Sequence, residues 1–235
     1  MIVENMSLEE ICHEYDTIHE HCFPKLKDRL ADGQRESNKI RRFMLRHKNC
    51  SNVILKPLTL KIKDHTTFYG VPIIPDYSFF KKKGPSVITF MTFYNLHGLM
   101  AVARGGNYDN EYIFATKHFF DRFVARCLKA ETDESEVLCQ FFANNSNLVM
   151  MPHPTMRQPN NIIGVTEELV FFAERITDKI ILMKTCITRE MLFDSQKHKA
   201  ELLDDDIDII IADRDIFKKQ LMNKPVSRFN RYNYF

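Results

Sequence analysis

The segment from Val87 to Ala115 constrains this chain more than any other. Three runs rich in β-branched and aromatic residues, Val87–Tyr94, Leu99–Ala103 and Tyr112–Ala115, are separated by Gly98 and by the Gly105–Gly106–Asn107 cluster. Short strands punctuated by turn residues predict an antiparallel meander. The chain then turns helical from Thr116 to about Lys129. Phe119, Phe120, Phe123, Val124, Cys127 and Leu128 share one side of that helix and face the core.

The flanks add elements of both kinds. Ser7 with Glu10 forms a capping-box pattern, and Leu8, Ile11, Cys12, Tyr15, Ile18 and Cys22 recur at helical spacing until Pro24, which ends or kinks the helix. A second helix, basic on its outer face, is expected from about Ser37 to Arg46. Leu55–Lys63 alternates like a strand. Gly70, Pro72, Pro75, Gly84 and Pro85 predict a loop-rich stretch. Downstream, a helix is expected over Glu134–Phe142. Short strands follow at Ile162–Val165, Leu169–Glu174 and Lys179–Ile187, joined by tight turns at Thr166–Glu168 and Thr177–Asp178. Thr188 is read as the cap of a further helix with Met191 in its first turn.

The whole predicts an α+β fold with a helical N-terminal region, a mostly antiparallel sheet with packed helices, and a helical C-terminal extension. The organisation read from it is a mainly helical region over 1–70, an α+β core over 71–203, and an acidic helix with a basic, aromatic tail over 204–235. With 44% hydrophobic residues the chain can bury a real core, and 19 Phe against no Trp make that core Phe-rich.

A net charge of +2 implies no polyanion partner by itself, so any such partner must be met by local clustering. No apolar run approaches the length of a bilayer span. The first residues lack a basic start followed by an apolar stretch, so a cytoplasmic chain is expected, with its six cysteines as free thiols. Cys12, His13, His19, His21 and Cys22 invite a metal reading. They point in several directions around one helix, and packing and surface account for them, so no metal or other cofactor is expected. Oligomeric state is not encoded in any pattern seen here.

Two constellations carry chemistry. Lys39, Arg41, Arg42, Arg46 and Lys48 cluster on the second helix and just after it, a pattern that attracts phosphate through counterion release. Lys81, Lys82 and Lys83 form another patch, and the tail adds Arg228, Phe229, Arg231 and Tyr232. The alternative is a solvated helix face and a charged loop. The other constellation is His118, Arg122 and Arg126, four residues apart and so one polar stripe on a helix. An imidazole there can take a proton from an attacking hydroxyl while guanidiniums hold the charge building on phosphorus. The plain alternative is a charged helix face in solvent.

The order strand, Thr-x-His-x-x-x-Arg-x-x-x-Arg helix, then short strands resembles the barnase/RelE-like ribonuclease toxins of bacteria and phages over about residues 112–192. The resemblance implies that a hydroxyl or basic residue on the last strand completes the site, and Lys184 and Thr185 stand in that order here. It implies a metal-independent ribonuclease-like or RNA-binding protein, with His118 as base and Arg122 and Arg126 as phosphate clamp. The reading from another class is a non-catalytic interaction domain, phage- or mobile-element-associated, that docks a protein partner. No membrane partner is expected.

Overall fold

The computed structural model describes residues 6–32, 34–47, 53–63, 65–96, 98–105, 111–128, 134–144, 149–152, 160–166 and 169–192. The C-terminal extension and Lys48 lie outside these residues. The backbone of Lys39 is described, but its side chain is not. The expected α+β fold is what the chain adopts: one ten-stranded sheet with helices on both faces.

Helix α1 (Leu8–Asp32) begins at the predicted box, where Ser7 and Glu10 exchange hydrogen bonds at 2.7 and 3.2 Å. It does not end at Pro24. Proline removes one intrahelical donor, but Pro24 is exposed, so water can satisfy the carbonyl left over. Helix α2 (Gln34–Arg46) follows, then strands β1 (Val53–Ile54) and β2 (Leu58–Lys63), which alternates between half-buried and exposed residues as its sequence predicts.

Strand β3 (Thr66–Ile74) crosses the stretch expected to be loop. Pro72 fits because β3 meets two partners in turn along one edge, β2 up to Gly70 and β1 from Ile73. The carbonyl of Pro72 accepts from Leu55 N at 2.9 Å on that edge. Its missing donor therefore falls at the junction of the two partners, where the ladder is already broken. Gly70 has a separate reason. A Cβ there would stand 2.6 Å from Leu26 Cδ1, so the bare backbone lets α1 approach the sheet.

After the short helix α3 (Tyr77–Lys83), capped by Asp76, comes the predicted meander: β4 (Ser86–Asn95), β5 (Gly98–Gly105) and β6 (Glu111–Thr116). Helix α4 (Lys117–Phe123) widens into a π-helical turn (Val124–Leu128), and α5 (Glu134–Asn144) follows. Strands β7 (Val149–Pro152), β8 (Asn161–Val165), β9 (Leu169–Thr177) and β10 (Ile180–Thr188) fold back as consecutive antiparallel hairpins. β10 then docks in parallel beside β6, joining the two halves in the order β1-β3-β4-β5-β6-β10-β9-β8-β7. Among the described residues, Thr188 is followed by a 3₁₀ turn, Arg189–Met191, and the Thr188 side chain makes no cap bond.

The sheet separates two cores. On one face α1 buries Ile11, Tyr15, Ile18, Cys22 and Leu26 against Phe68, Met91, Phe93, Val102 and Phe114. On the other, α4 and α5 bury Phe119, Phe120, Phe123, Phe141 and Phe142 against Phe90, Phe171, Ile181 and Met183. Phe141 sits at the centre of that cluster, with ring centroids 5.0 Å from Phe119, 5.4 Å from Phe123 and 5.8 Å from Phe171. Edge-to-face packing of this kind suits rings whose faces are negative and edges positive. Cys12, Cys22, Cys139 and Cys186 are buried and form no disulfide among the described residues; the side chains of Cys50 and Cys127 lie outside the described residues.

Candidate nucleic-acid interface

Thr116 caps α4, its hydroxyl accepting from Phe119 N at 3.2 Å. This fixes the helix phase: three Phe face the core, and His118 and Arg122 stand exposed on the outer side. Arg126 leaves the stripe. Each residue of an i→i+5 turn rotates the chain through a smaller angle than an α-residue does, so the π-helical turn swings Arg126 off the line of His118 and Arg122. Its guanidinium is half-buried and donates to the carbonyl oxygen of Cys186 in β10. Arg126 thereby ties the end of the helix to the sheet. Lys117, next to His118, pairs with Asp121 at 2.9 Å.

Lys184 and Thr185 do not converge on His118. Met183 and Cys186 both belong to the core under α4, and a bulge inserts one extra residue between them. Thr185 is thus set opposite Phe172, whose neighbours Phe171 and Ala173 face α4, so Thr185 is turned to the α1 side. Lys184 makes an ion pair with Glu174. Glu174 lies across from Leu182, which packs with the α1 core. The structure therefore brings His118 and Arg122 together and puts Lys184 and Thr185 on the opposite face of the sheet.

The other predicted constellation stays on one surface. In α2, Met44 is fully buried. At about 100° per residue, Arg42 and Arg46 are each about 200° from Met44 and form the middle of the outward face. Arg41 and Leu45 flank them on one side, Phe43 and His47 on the other, and all six are exposed. The Phe43 and His47 rings lie 4.6 Å apart between centroids, tilted by 37° to one another. Among the described residues, none makes an ion pair or hydrogen bond with Arg41, Arg42 or Arg46. From Ser37 to Lys63 the sequence holds eight Lys and Arg and no Asp or Glu. Part of that run is β2, whose Lys61 and Lys63 side chains are exposed, as is Lys56 just before it.

Two arrangements had no signal in the sequence. Between α1 and the sheet, the Tyr112 hydroxyl donates to Asp16 at 2.5 Å, while Arg104 stands 3.6 Å from the other carboxylate oxygen. Burial first, then the hydrogen bond and charge of Asp16, push the Tyr112 phenol up to about 12, which keeps it a donor across the neutral range. On the other face, buried Glu111 takes Arg175 at 2.9 Å. The first ties α1 to β5 and β6, and the second ties the start of β6 to β9. The second arrangement is at the sheet end that carries His118, where two hairpin tips bring His65 and Tyr94 ring to ring at 5.8 Å.

Among the described residues there is no group of three or more His, Cys, Asp or Glu able to hold a metal ion, and no helix is long and apolar enough to cross a membrane. Comparison of the chain with protein-family models, curated proteins and solved structures finds no match.

Proposed function

We propose that this chain binds RNA, and that the outward face of α2 is its main contact with the phosphate backbone. The observation that carries this reading is the exposed guanidinium face of Arg41, Arg42 and Arg46, set in a run of eight cations uninterrupted by any carboxylate. A near-neutral chain that concentrates its positive charge in one run creates a local field that the net charge conceals. Arginine suits the task because its planar fork holds two phosphate oxygens at once. The exposed rings of Phe43 and His47 beside it add aromatic surface on which a base can rest.

Binding is better supported than cleavage. His118 and Arg122 share an open surface, but Arg126 is engaged with the Cys186 carbonyl and Lys184 with Glu174. Mixed RNA incubated with excess chelator tests the cleavage arm, and replacing His118 with Ala abolishes any turnover that belongs to this protein. For binding, fluorescence anisotropy with a labelled oligoribonucleotide is the test. Changing Arg41, Arg42 and Arg46 together to Glu weakens affinity at low salt by about ten-fold or more. Unchanged affinity sinks the assignment of α2. Exposed Phe43 and Leu45 on the same face support a second reading, a protein-docking helix, which gains if the wild type binds no RNA at low salt.

A further inference from the structure

We infer that the end of the sheet bearing α4 holds a stacking site for an unpaired RNA base, built on Tyr94 and His65. This rests on the RNA-binding reading but concerns a different surface and a narrower ligand. The two rings come from separate hairpins. His65 sits in the β2–β3 turn and Tyr94 at the end of β4, and they meet at 67° with 5.8 Å between centroids. Strand alternation decides which way Tyr94 points. Phe93 belongs to the core under α1, so Tyr94 stands on the α4 side, where it is 48% exposed. The next hairpin residue but one, Leu96, is 69% exposed. The exposed ring and isobutyl group, two residues apart in sequence, offer an apolar shelf to a ligand.

Charge on both sides of the shelf selects the occupant. On one side runs β2, with Lys61 and Lys63 exposed and Lys61 turned to the same side of the sheet as Tyr94. On the other, Gly98 ends the turn with φ 95° and lies against the Lys117 side chain, which leads on to His118 and Arg122. An aromatic shelf with Lys61 and Lys63 on one side and Arg122 on the other matches a single strand that lays one base on the ring and passes its phosphates to either side. A duplex keeps its bases stacked on one another and offers the shelf nothing. His118 thereby gains a role that needs no proton transfer: its exposed ring, beside Arg122, borders a base site.

The test compares four variants with three probes: single-stranded RNA, duplex RNA, and inorganic polyphosphate, which has the charge but no base. Tyr94→Ala is expected to weaken single-strand binding about ten-fold, Tyr94→Phe to keep it, and His65→Ala to give a smaller loss. Polyphosphate binding should be the same in these three. Lys61→Glu should weaken both single-stranded RNA and polyphosphate. Tyr94 is exposed, so the variants remain folded, and circular dichroism checks this. If the wild type binds single-stranded RNA and Tyr94→Ala binds it equally well, the stacking site is wrong while the RNA reading stands. If the wild type binds no RNA, the RNA reading falls and the site with it.

Discussion

Helices α2 and α4 both look basic in sequence, and the structure uses their charge in different ways. In α4 three phenylalanines are sunk in the core, and of the cations that remain Arg126 serves the Cys186 carbonyl and Lys117 pairs with Asp121. In α2 Met44 is fully buried while Arg41, Arg42, Phe43, Leu45 and Arg46 stay in solvent. The broad anchored face of α4 makes it a structural element with a narrow outer edge. Among its described side chains from Arg41 to Arg46, only Met44 is anchored, which leaves the others for a partner. Charge in a sequence therefore says less about binding than the fraction of the helix surface the core has already claimed.

The comparison breaks most readily at the phenylalanines. Phe123→Ala, in the core under α4, should cost about 3–5 kcal/mol of stability. Phe43→Ala, on the open side of α2, should stay within about 0.5 kcal/mol of wild type. Denaturant unfolding of the two variants measures both. Similar losses would mean that α2 is packed against something and is not an open surface.

A smaller effect separates the arginines. Arg126→Ala leaves the Cys186 carbonyl without its charged donor and should cost about 1–3 kcal/mol, whereas Arg46→Ala should be near neutral. Equal effects would remove the distinction between a structural and an available guanidinium.

The smallest effect concerns a histidine on the α1 face. His19 lies half-buried among Tyr15, Phe23 and Phe68, and burial first, then the charge of Arg104, lowers its affinity for protons. With its pKa below the ordinary 6.5 in the folded chain, the unfolded chain takes up the proton first as pH falls. Stability is thus full above about pH 6.5 and declines as pH drops toward the folded value. His19→Gln, on the α1 face, should flatten that decline in melting temperature. A decline that persists in the His19 variant would assign it to other groups.

What the sequence disclosed and what it hid follow one division. Patterns confined to a few neighbours could be read: the Ser7–Glu10 box, the helix start at Thr116, the phenylalanine phase of α4, the alternation of β2 and the meander from Val87 to Ala115. What depended on distant partners could not. Pro72 and Gly70 signal a loop locally, yet β3 passes through both because a junction of two strands and an approaching helix give each a reason. Nothing in Val-Ala-Arg-Cys-Leu announces a π-helical turn, so the stripe of His118, Arg122 and Arg126 reads as continuous when it is not. The bulge at Lys184 turns two side chains away from α4, and a bulge is a property of the pairing with β9, not of β10 alone. The meeting of His65 and Tyr94 likewise exists only once two hairpins lie side by side. The basic cluster on α2 was visible from the start, but its freedom from neighbours was not.

The central claim is that Arg41, Arg42 and Arg46 contact an RNA backbone, and salt dependence tests it most directly. For single strands each phosphate contact adds about 0.7 to the slope of log affinity against log salt. Measured by anisotropy from low to physiological salt, the wild type should bind single-stranded RNA with a steep negative slope. The Arg41→Glu, Arg42→Glu, Arg46→Glu variant should bind more weakly, with a slope shallower by about 2. Identical slopes for the two proteins, or no binding by the wild type at the lowest salt, would contradict the account.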